Sequence, residues 1–244
     1  MVNNNLKHIS IPSVAKFLGG ISLAIIALLL PLCMFPFLSG YFVHAQARYA
    51  TAESFDRRYS EAALHDQLRS VLTYLLPPWD TTLEETFFSL EDVAHMHDVR
   101  DIYTGVYAAL LGVLILAPIF IVVAGKQHAT PKSAQADRNP VPTQASFANT
   151  LGRVVKLGAQ LHLFTLVTIS LIGLAAVLAW DPLFTLFHRV FFPFNTFWAL
   201  DPQTSNLIKF LPQQVFQELA LVYWISQILI QILFRYLSVR TARS

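Results

Sequence analysis

Charged residues are scarce in this chain of 244 residues. They make up 13% of the sequence, about half of the share in a typical soluble domain. The hydrophobic residues, which are 55% of the chain, lie in four long blocks at 17–43, 102–124, 158–180 and 210–237. A helix of about 20 apolar residues spans a bilayer. The sequence therefore excludes an ordinary soluble protein and predicts an all-α membrane protein, with residues 1–244 forming a single membrane domain.

The chain also lacks the residues of several common chemistries. Cys33 is its only cysteine, which excludes an intrachain disulfide, a CxxC redox pair and a cysteine-rich metal site. No HExxH, GxSxG, phosphate-binding P-loop or EF-hand motif occurs. We therefore predict neither a metal site nor a cofactor.

Acidic residues are nearly missing from three intervals: before the first block, between the second and third, and after the fourth. Together with Arg235 near the end of the fourth block, these intervals hold ten lysines and arginines but only one acid, Asp137. The loops at 44–101 and 181–211 together hold thirteen acids and seven bases. Basic residues favour the cytoplasmic side. We expect both termini and the connector at 125–157 to be cytoplasmic, and the loops at 44–101 and 181–211 to be extracytoplasmic. Basic ends suit anionic lipid headgroups and do not indicate nucleic-acid binding.

The outer loops contain short helical patterns. Leucines and a valine recur at helical spacing over 64–76, which predicts an amphipathic helix too short to span a membrane. Ser89-x-x-Asp92 is a capping box that predicts the start of a helix running into the second span, and Thr82-x-x-Glu85 has the same form. Phe184, Phe187 and Phe191 predict an interfacial helix. The expected fold is thus four transmembrane helices with an extracytoplasmic cap of short amphipathic or interfacial helices.

One candidate site lies at the start of the second span. Glu91, His95 and Asp98 share a helical face, and a neighbouring carboxylate can fix the tautomer of an imidazole. His97, with Asp101 four residues later, is an equal alternative to His95 on spacing alone.

The second candidate site is the aromatic stretch around His188, which includes Asn195, Trp198 and Asp201. It is interrupted by prolines, so it predicts a polar site at the edge of the membrane rather than a span. Two histidines on two outer loops suit acid–base work on an acyl group, in which one removes a proton and the other stabilises the oxyanion.

Two motifs carry a resemblance to a known family. They are Glu91-x-x-x-His95-Met96-x-Asp98-Val99-Arg100 and Phe187-His188-x-x-Phe191-Phe192 followed by Trp198-x-Leu200-Asp201-Pro202 and Leu211-Pro212. Together they resemble the signatures of the lipoprotein intramolecular transacylases, four-helix enzymes of Gram-positive cytoplasmic membranes. Arg100 stands where lysine is common in that family, and Asn206 and Gln213 stand where acids are expected.

The resemblance implies a reaction within one diacylated lipoprotein. The sn-2 acyl chain would move from the glycerol oxygen to the α-amino group of the N-terminal cysteine, leaving a lyso-form lipoprotein, without a cofactor. It implies that His95, rather than His97, pairs with His188, and either of the two can be the base. It further implies that the residues which orient or bind the substrate are Glu91, Asp98, Arg100, Asn195, Trp198 and Asp201. For Asp201, capping of the turn at Pro202 is the alternative.

Two other functional classes are compatible with the sequence. The same histidines in a lipid or lipoprotein hydrolase would activate water. A non-enzymatic transporter or haem-binding subunit would instead need ionisable or histidine side chains within the spans, where Glu218 and His162 are the candidates. The sequence does not indicate an oligomeric state.

Overall fold

The computed structural model describes residues 11–49, 55, 58–125 and 144–241. Within those ranges the chain is helical and forms no strand. In chain order the helices are α1 (Ile11–Met34), α2 (Ser39–Tyr49), α3 (Glu61–Tyr74), α4 (Leu90–Gly125), α5 (Gln144–Leu178), α6 (Trp180–Phe191), α7 (Asn206–Phe210) and α8 (Gln213–Thr241). A 3₁₀ turn, Phe35–Phe37, separates α1 from α2.

Four helical segments are long and apolar enough to cross a membrane: Ser13–Phe37, Leu90–Gly125, Phe147–Leu178 and Gln213–Thr241. Their large apolar side chains are widely exposed, for example Phe164 and Leu229. Lipid, rather than water, suits such surfaces. The predicted all-α membrane fold with four spans is confirmed.

The helix ends differ from the predicted spans at several places. The first block is not one helix, because the chain turns at Pro36, which has no amide hydrogen to donate. Helix α5 begins at Gln144, so residues 144–157 of the predicted connector are helical, and residues 126–143 lie outside the described ranges. The fourth span begins after Pro212, and Asn206–Phe210 forms the separate helix α7.

The local predictions in the first outer loop have mixed outcomes. Helix α3 is the predicted amphipathic helix, with Leu64, Leu68 and Val71 buried. The capping box is confirmed: the amide of Asp92 donates to Ser89 Oγ and the amide of Ser89 donates to Asp92 Oδ2, each at 3.1 Å. The similar motif at Thr82 starts no helix, since the chain forms turns there; that prediction was wrong.

The described chain divides into two compact units, and the first comprises Met1–Leu30, Ala109–Thr168 and Ser226–Ser244. Helices α1 and α5 approach closely within it. A Cβ atom on Gly20 would lie 2.7 Å from Leu157 Cγ, and one on Gly158 would lie 3.1 Å from Leu23 Cβ. Small residues at such contacts let helix backbones pack tightly in a membrane.

Three buried polar side chains also join the helices of the first unit. The ring nitrogens of His162 lie 2.7 Å from Gln231 Oε1 and 2.8 Å from Gln227 Oε1. Gln227 Nε2 donates to the carbonyl oxygen of Ala27, which has no helical donor because the residue four positions later is Pro31. The network therefore satisfies a carbonyl that the proline leaves free.

The second unit comprises Pro31–Ala108 and Ile169–Ile225 and contains every predicted site residue. Its core joins apolar side chains of α3 to an aromatic group, in which the Phe210 ring lies 4.9 Å from Phe55 and 5.5 Å from Phe87. Near the start of α8, Glu218 accepts hydrogen bonds from Tyr41 at 2.6 Å, Tyr49 at 2.5 Å and Arg48 at 2.8 Å. These bonds fix α2 to α8.

Candidate active site

His95 lies in the second turn of α4, where the capping box at Ser89 sets the start of the helix. Its side chain is partly buried. The Nδ1 atom is buried and has no hydrogen-bond partner among the described residues. Most buried polar atoms in proteins are hydrogen-bonded, so this nitrogen is an exception within the site.

His188 lies in the last turn of α6 and is 7% exposed. Its Nδ1 atom is 2.8 Å from the carbonyl oxygen of Phe184. A carbonyl oxygen can only accept, so Nδ1 carries the hydrogen and donates it. In the neutral ring the other nitrogen, Nε2, then has no hydrogen and presents a free lone pair.

The two imidazoles lie next to each other. Their ring centroids are 5.8 Å apart, with an angle of 41° between the ring planes. The buried ring of Phe192 contacts both, edge-on to His95 at 5.1 Å and stacked with His188 at 5.5 Å. The structure thus brings together two histidines that the sequence places 93 residues apart.

Aromatic rings surround His188 on further sides. Phe184 lies 4.0 Å away between centroids, Trp198 5.1 Å and Phe187 5.2 Å. Burial lowers the pKa of His188 from its ordinary value, and the hydrogen bond to the Phe184 carbonyl raises the pKa only in part. The ring is therefore held in its neutral form at neutral pH.

Asp98 and Asn195 form a pair beside the histidines. Asn195 Nδ2 donates to Asp98 Oδ2 at 2.8 Å, and Asn195 Oδ1 accepts from the amide of Phe197 at 3.1 Å. Both ends of the Asn195 amide are thus fixed. The hydrogen bond of Asp98 goes to this asparagine, not to His95, so the carboxylate acts on His95 only through space.

The other three predicted residues make no hydrogen bond to either imidazole. Glu91 is exposed. The Arg100 guanidinium lies 4.2 Å from the ring centre of Tyr74, on α3. Asp201 caps its own turn, because Oδ1 accepts from the amide of Gln203 at 2.9 Å and its carbonyl accepts from the amide of Ser205 at 2.8 Å.

Phe192 belongs to the second sequence motif, but the sequence analysis did not predict it as a site residue. It follows His188 by four residues, so a continued helical turn would place it on the same face. That spacing was the available signal, but it does not reveal the contact with His95. Within the described ranges, no group of three histidine, cysteine or acidic side chains is placed to hold a metal ion.

A protein-family model and solved structures match this chain. The sequence model of the family described as "Lipoprotein intramolecular transacylase Lit" matches residues 17–216. The solved structure of the Bacillus cereus lipoprotein intramolecular transacylase Lit has a TM-score of 0.71 at 18% identity, covering 96% of this chain and 98% of that one. A histidine-to-alanine variant of the same protein gives 0.67 at 18% identity, with 96% of each chain covered. At this identity the structural likeness shows a shared fold.

No curated protein sequence gave a match. The family match nevertheless extends over most of the chain and includes both histidine motifs. The chain belongs to the lipoprotein intramolecular transacylase family.

Proposed function

We propose that this transacylase moves the sn-2 acyl chain of a diacylated lipoprotein from the glycerol oxygen to the α-amino group of the N-terminal cysteine. The product is a lyso-form lipoprotein. His95 and His188 are the reacting side chains. The observation that carries this proposal is their pairing at 5.8 Å, with a lone pair free on His188 Nε2.

His188 is the base in this proposal. An α-amino group has a pKa of about 7.7–8.0 and is mostly protonated at neutral pH, so it cannot attack until it loses a proton. His188 Nε2 accepts that proton. The amine nitrogen then forms a bond to the ester carbonyl carbon, and the bond from that carbon to the glycerol oxygen breaks. His188 passes this first proton to the departing glycerol oxygen, then takes the second proton from the nitrogen and releases it to water, and an amide remains.

His95 supplies the hydrogen-bond donor. Its buried Nδ1 has no partner, and buried N–H groups without an acceptor are rarer than unsatisfied acceptors. The neutral ring therefore carries its hydrogen on Nε2. A donor there stabilises the oxyanion by a hydrogen bond, and the ring keeps its hydrogen and stays neutral throughout.

The remaining contribution of the protein is geometry. Conversion of an ester into an amide is downhill, and the amine and ester belong to one molecule, so holding them together gives a proximity effect. Trp198 and the phenylalanines around His188 contact the acyl chain. The hydrogen-bonded side chains of Asp98 and Asn195 orient the two histidines. Glu91 and Arg100 contact the substrate farther from the two histidines. Asp201 supports the turn before α7.

We also propose a location for the reaction. The basic intervals, and loops at 44–101 and 181–211 that together hold more acids than bases, support cytoplasmic termini and an extracytoplasmic site in a bacterial cell membrane of the Gram-positive type. Membrane lipid covers the exposed apolar faces of the spans. The whole chain acts as one membrane domain.

The alternative functions have less support. A hydrolase would use the same histidines with water, but the rings that enclose His188 favour an apolar substrate over water. Glu218, the candidate for a transporter, is engaged by three donors from α2. His162, the candidate haem ligand, has both ring nitrogens hydrogen-bonded to glutamines.

The test is N-acylation of a diacylated lipopeptide by purified protein in lipid, followed by mass spectrometry. We expect an unchanged total mass and a blocked amine. His95→Ala and His188→Ala should each lose about 10²–10⁴-fold in rate, the usual contribution of a general acid or base. His97→Ala is the matched control, since His97 is exposed and lies near Asp101; it should keep its activity. Full activity in both His95 and His188 variants would contradict the proposal.

A further inference from the structure

Helix α4 presents three polar side chains at intervals of three residues: Asp92, His95 and Asp98. This spacing places them one above the other along one side of a helix. Each carboxylate accepts a hydrogen bond from the loop that joins α6 to α7, here called the 192–205 loop. Asp98 binds Asn195 near the start of that loop, and Asp92 Oδ1 accepts from Ser205 Oγ at its end. The loop is therefore attached to α4 one turn before and one turn after His95.

The attachment at Asp92 is completely buried. Asp92 is 0% exposed and Ser205 is 2% exposed. The two residues are 113 positions apart in the sequence. Among the described residues no cation forms an ion pair with Asp92, so hydrogen bonds alone satisfy its carboxylate. A buried carboxylate is costly unless it is hydrogen-bonded. The fold therefore cannot easily replace the hydrogen bond from Ser205 to Asp92 by another arrangement.

Neighbouring bonds hold the same junction. Ser205 Oγ also accepts from the amide of Ile208 at 3.2 Å and so caps α7. Asn206 Nδ2 donates to the carbonyl oxygen of Phe87 at 2.6 Å, just before α4 begins. The end of the 192–205 loop is thus joined to the region around the start of α4 by two neighbouring side chains, Ser205 and Asn206.

We propose that Asp92 is a positioning residue of the transacylase reaction, which acts through Ser205 to fix the 192–205 loop against the histidine pair. Phe192, at the start of the loop, contacts both imidazoles, and Trp198, within the loop, packs on His188. Fixing the loop at both ends therefore sets the position of His188 relative to His95. This inference rests on the proposed function, because it takes the two histidines as the reacting groups.

A purely structural role for Asp92 is the alternative, since Asp92 also belongs to the capping box of α4. Ser89→Ala separates the two roles. It removes the acceptor for the Asp92 amide and leaves the contact between Asp92 and Ser205 in place. This variant should unfold at a lower temperature with its kcat unchanged.

An exchange of the two side chains tests the contact itself. Asp92→Ser removes the carboxylate, and Ser205→Asp places two carboxylates face to face. Each single variant should lower kcat for lipopeptide N-acylation about tenfold or more with little change in KM, because substrate binding is kept and positioning is lost. The double variant restores a hydroxyl–carboxylate bond in reverse, and aspartate is a good N-cap for α7. It should recover most of the lost kcat.

Ser205→Ala is a milder variant in case an exchanged protein does not fold. It should lower kcat and speed amide hydrogen exchange across residues 192–205. Faster exchange with unchanged kcat would overturn the inference, as would a folded double variant no more active than the weaker single variant. If the unmodified enzyme fails to N-acylate the lipopeptide, the proposed function fails instead, and hydrogen exchange still reports whether Ser205 holds the loop.

Discussion

At the scale of the residue, the proposed chemistry depends on the hydrogen bond between His188 Nδ1 and the carbonyl of Phe184. This bond fixes the tautomer of the ring and leaves Nε2 as the base. Aromatic burial keeps the ring neutral. A backbone carbonyl one turn earlier in α6 and an apolar surrounding thus prepare this histidine to accept a proton.

The pH dependence of kcat follows from the state of His188. Burial lowers the pKa of this imidazole, so the fraction of neutral base remains high until the pH falls below about 6.5, the usual pKa of histidine. We expect kcat to fall in acid with a midpoint below that value. Initial rates in buffers of constant ionic strength measure it. An acid limb centred above pH 7 would contradict the assignment of His188 as a neutral base.

The pair of Asp98 and Asn195 gives a second prediction at this scale. Asn195→Ala removes the donor to Asp98, and small displacements in an active site cost up to about 10²-fold in rate. We expect a loss of roughly tenfold in kcat for Asn195→Ala and a larger loss for Asn195→Asp, which places two carboxylates together. Equal kcat values for the two variants would contradict this prediction, because the negative charge placed beside Asp98 would then have no effect on the rate.

The sequence was informative about which residues matter and less so about how they are joined. The motifs at His95 and His188 indicated the pair, and the spacing of Glu91, His95 and Asp98 indicated a shared helix face. The hydrogen bond from Asn195 to Asp98 could not be predicted, because the side chains are 97 residues apart and the 192–205 loop, which contains Asn195, has no periodic pattern.

At the scale of the element, helix starts with capping side chains were easier to predict than helix ends. The capping box at Ser89 predicted the start of α4, because both of its hydrogen bonds form between residues close in the sequence. The same motif at Thr82 failed, since the apolar residues around Phe87 pack into the core of the second unit. Tertiary burial there outweighs the local preference.

Packing of α1 against α5 is testable through Gly20. A Cβ atom there would lie 2.7 Å from Leu157 Cγ and 3.0 Å from Leu157 Cβ. Gly20→Ala should therefore destabilise the protein by about 1–3 kcal/mol, the typical cost of overpacking. Gly112→Ala is the matched control, because a Cβ atom there would meet nothing within 4 Å, and it should be neutral or stabilising. Thermal unfolding in detergent measures both, and equal shifts would contradict the close contact.

At the scale of the whole molecule, the distribution of charge predicts the orientation in the membrane. The only cysteine, Cys33, is buried, so Cys33→Ala provides a background for single-cysteine labelling. Gln203→Cys and Arg240→Cys place reporters at two exposed positions, one in the loop at 181–211 and one at the basic end of the chain. A maleimide that cannot cross membranes should label position 203 and not 240 in intact cells. The reverse result would contradict the proposed orientation.

In the proposed reaction, one lipoprotein molecule supplies both the acyl chain and the amine that receives it. A crossover experiment tests this most directly. Two diacylated lipopeptides of different peptide mass, one of which carries an isotopically heavy sn-2 chain, are mixed with the enzyme in lipid and analysed by mass spectrometry. We expect every heavy acyl chain to stay with its own peptide and to move to the α-amino group with no change in total mass. Heavy chains on the light-chain peptide, or free heavy fatty acid, would contradict it.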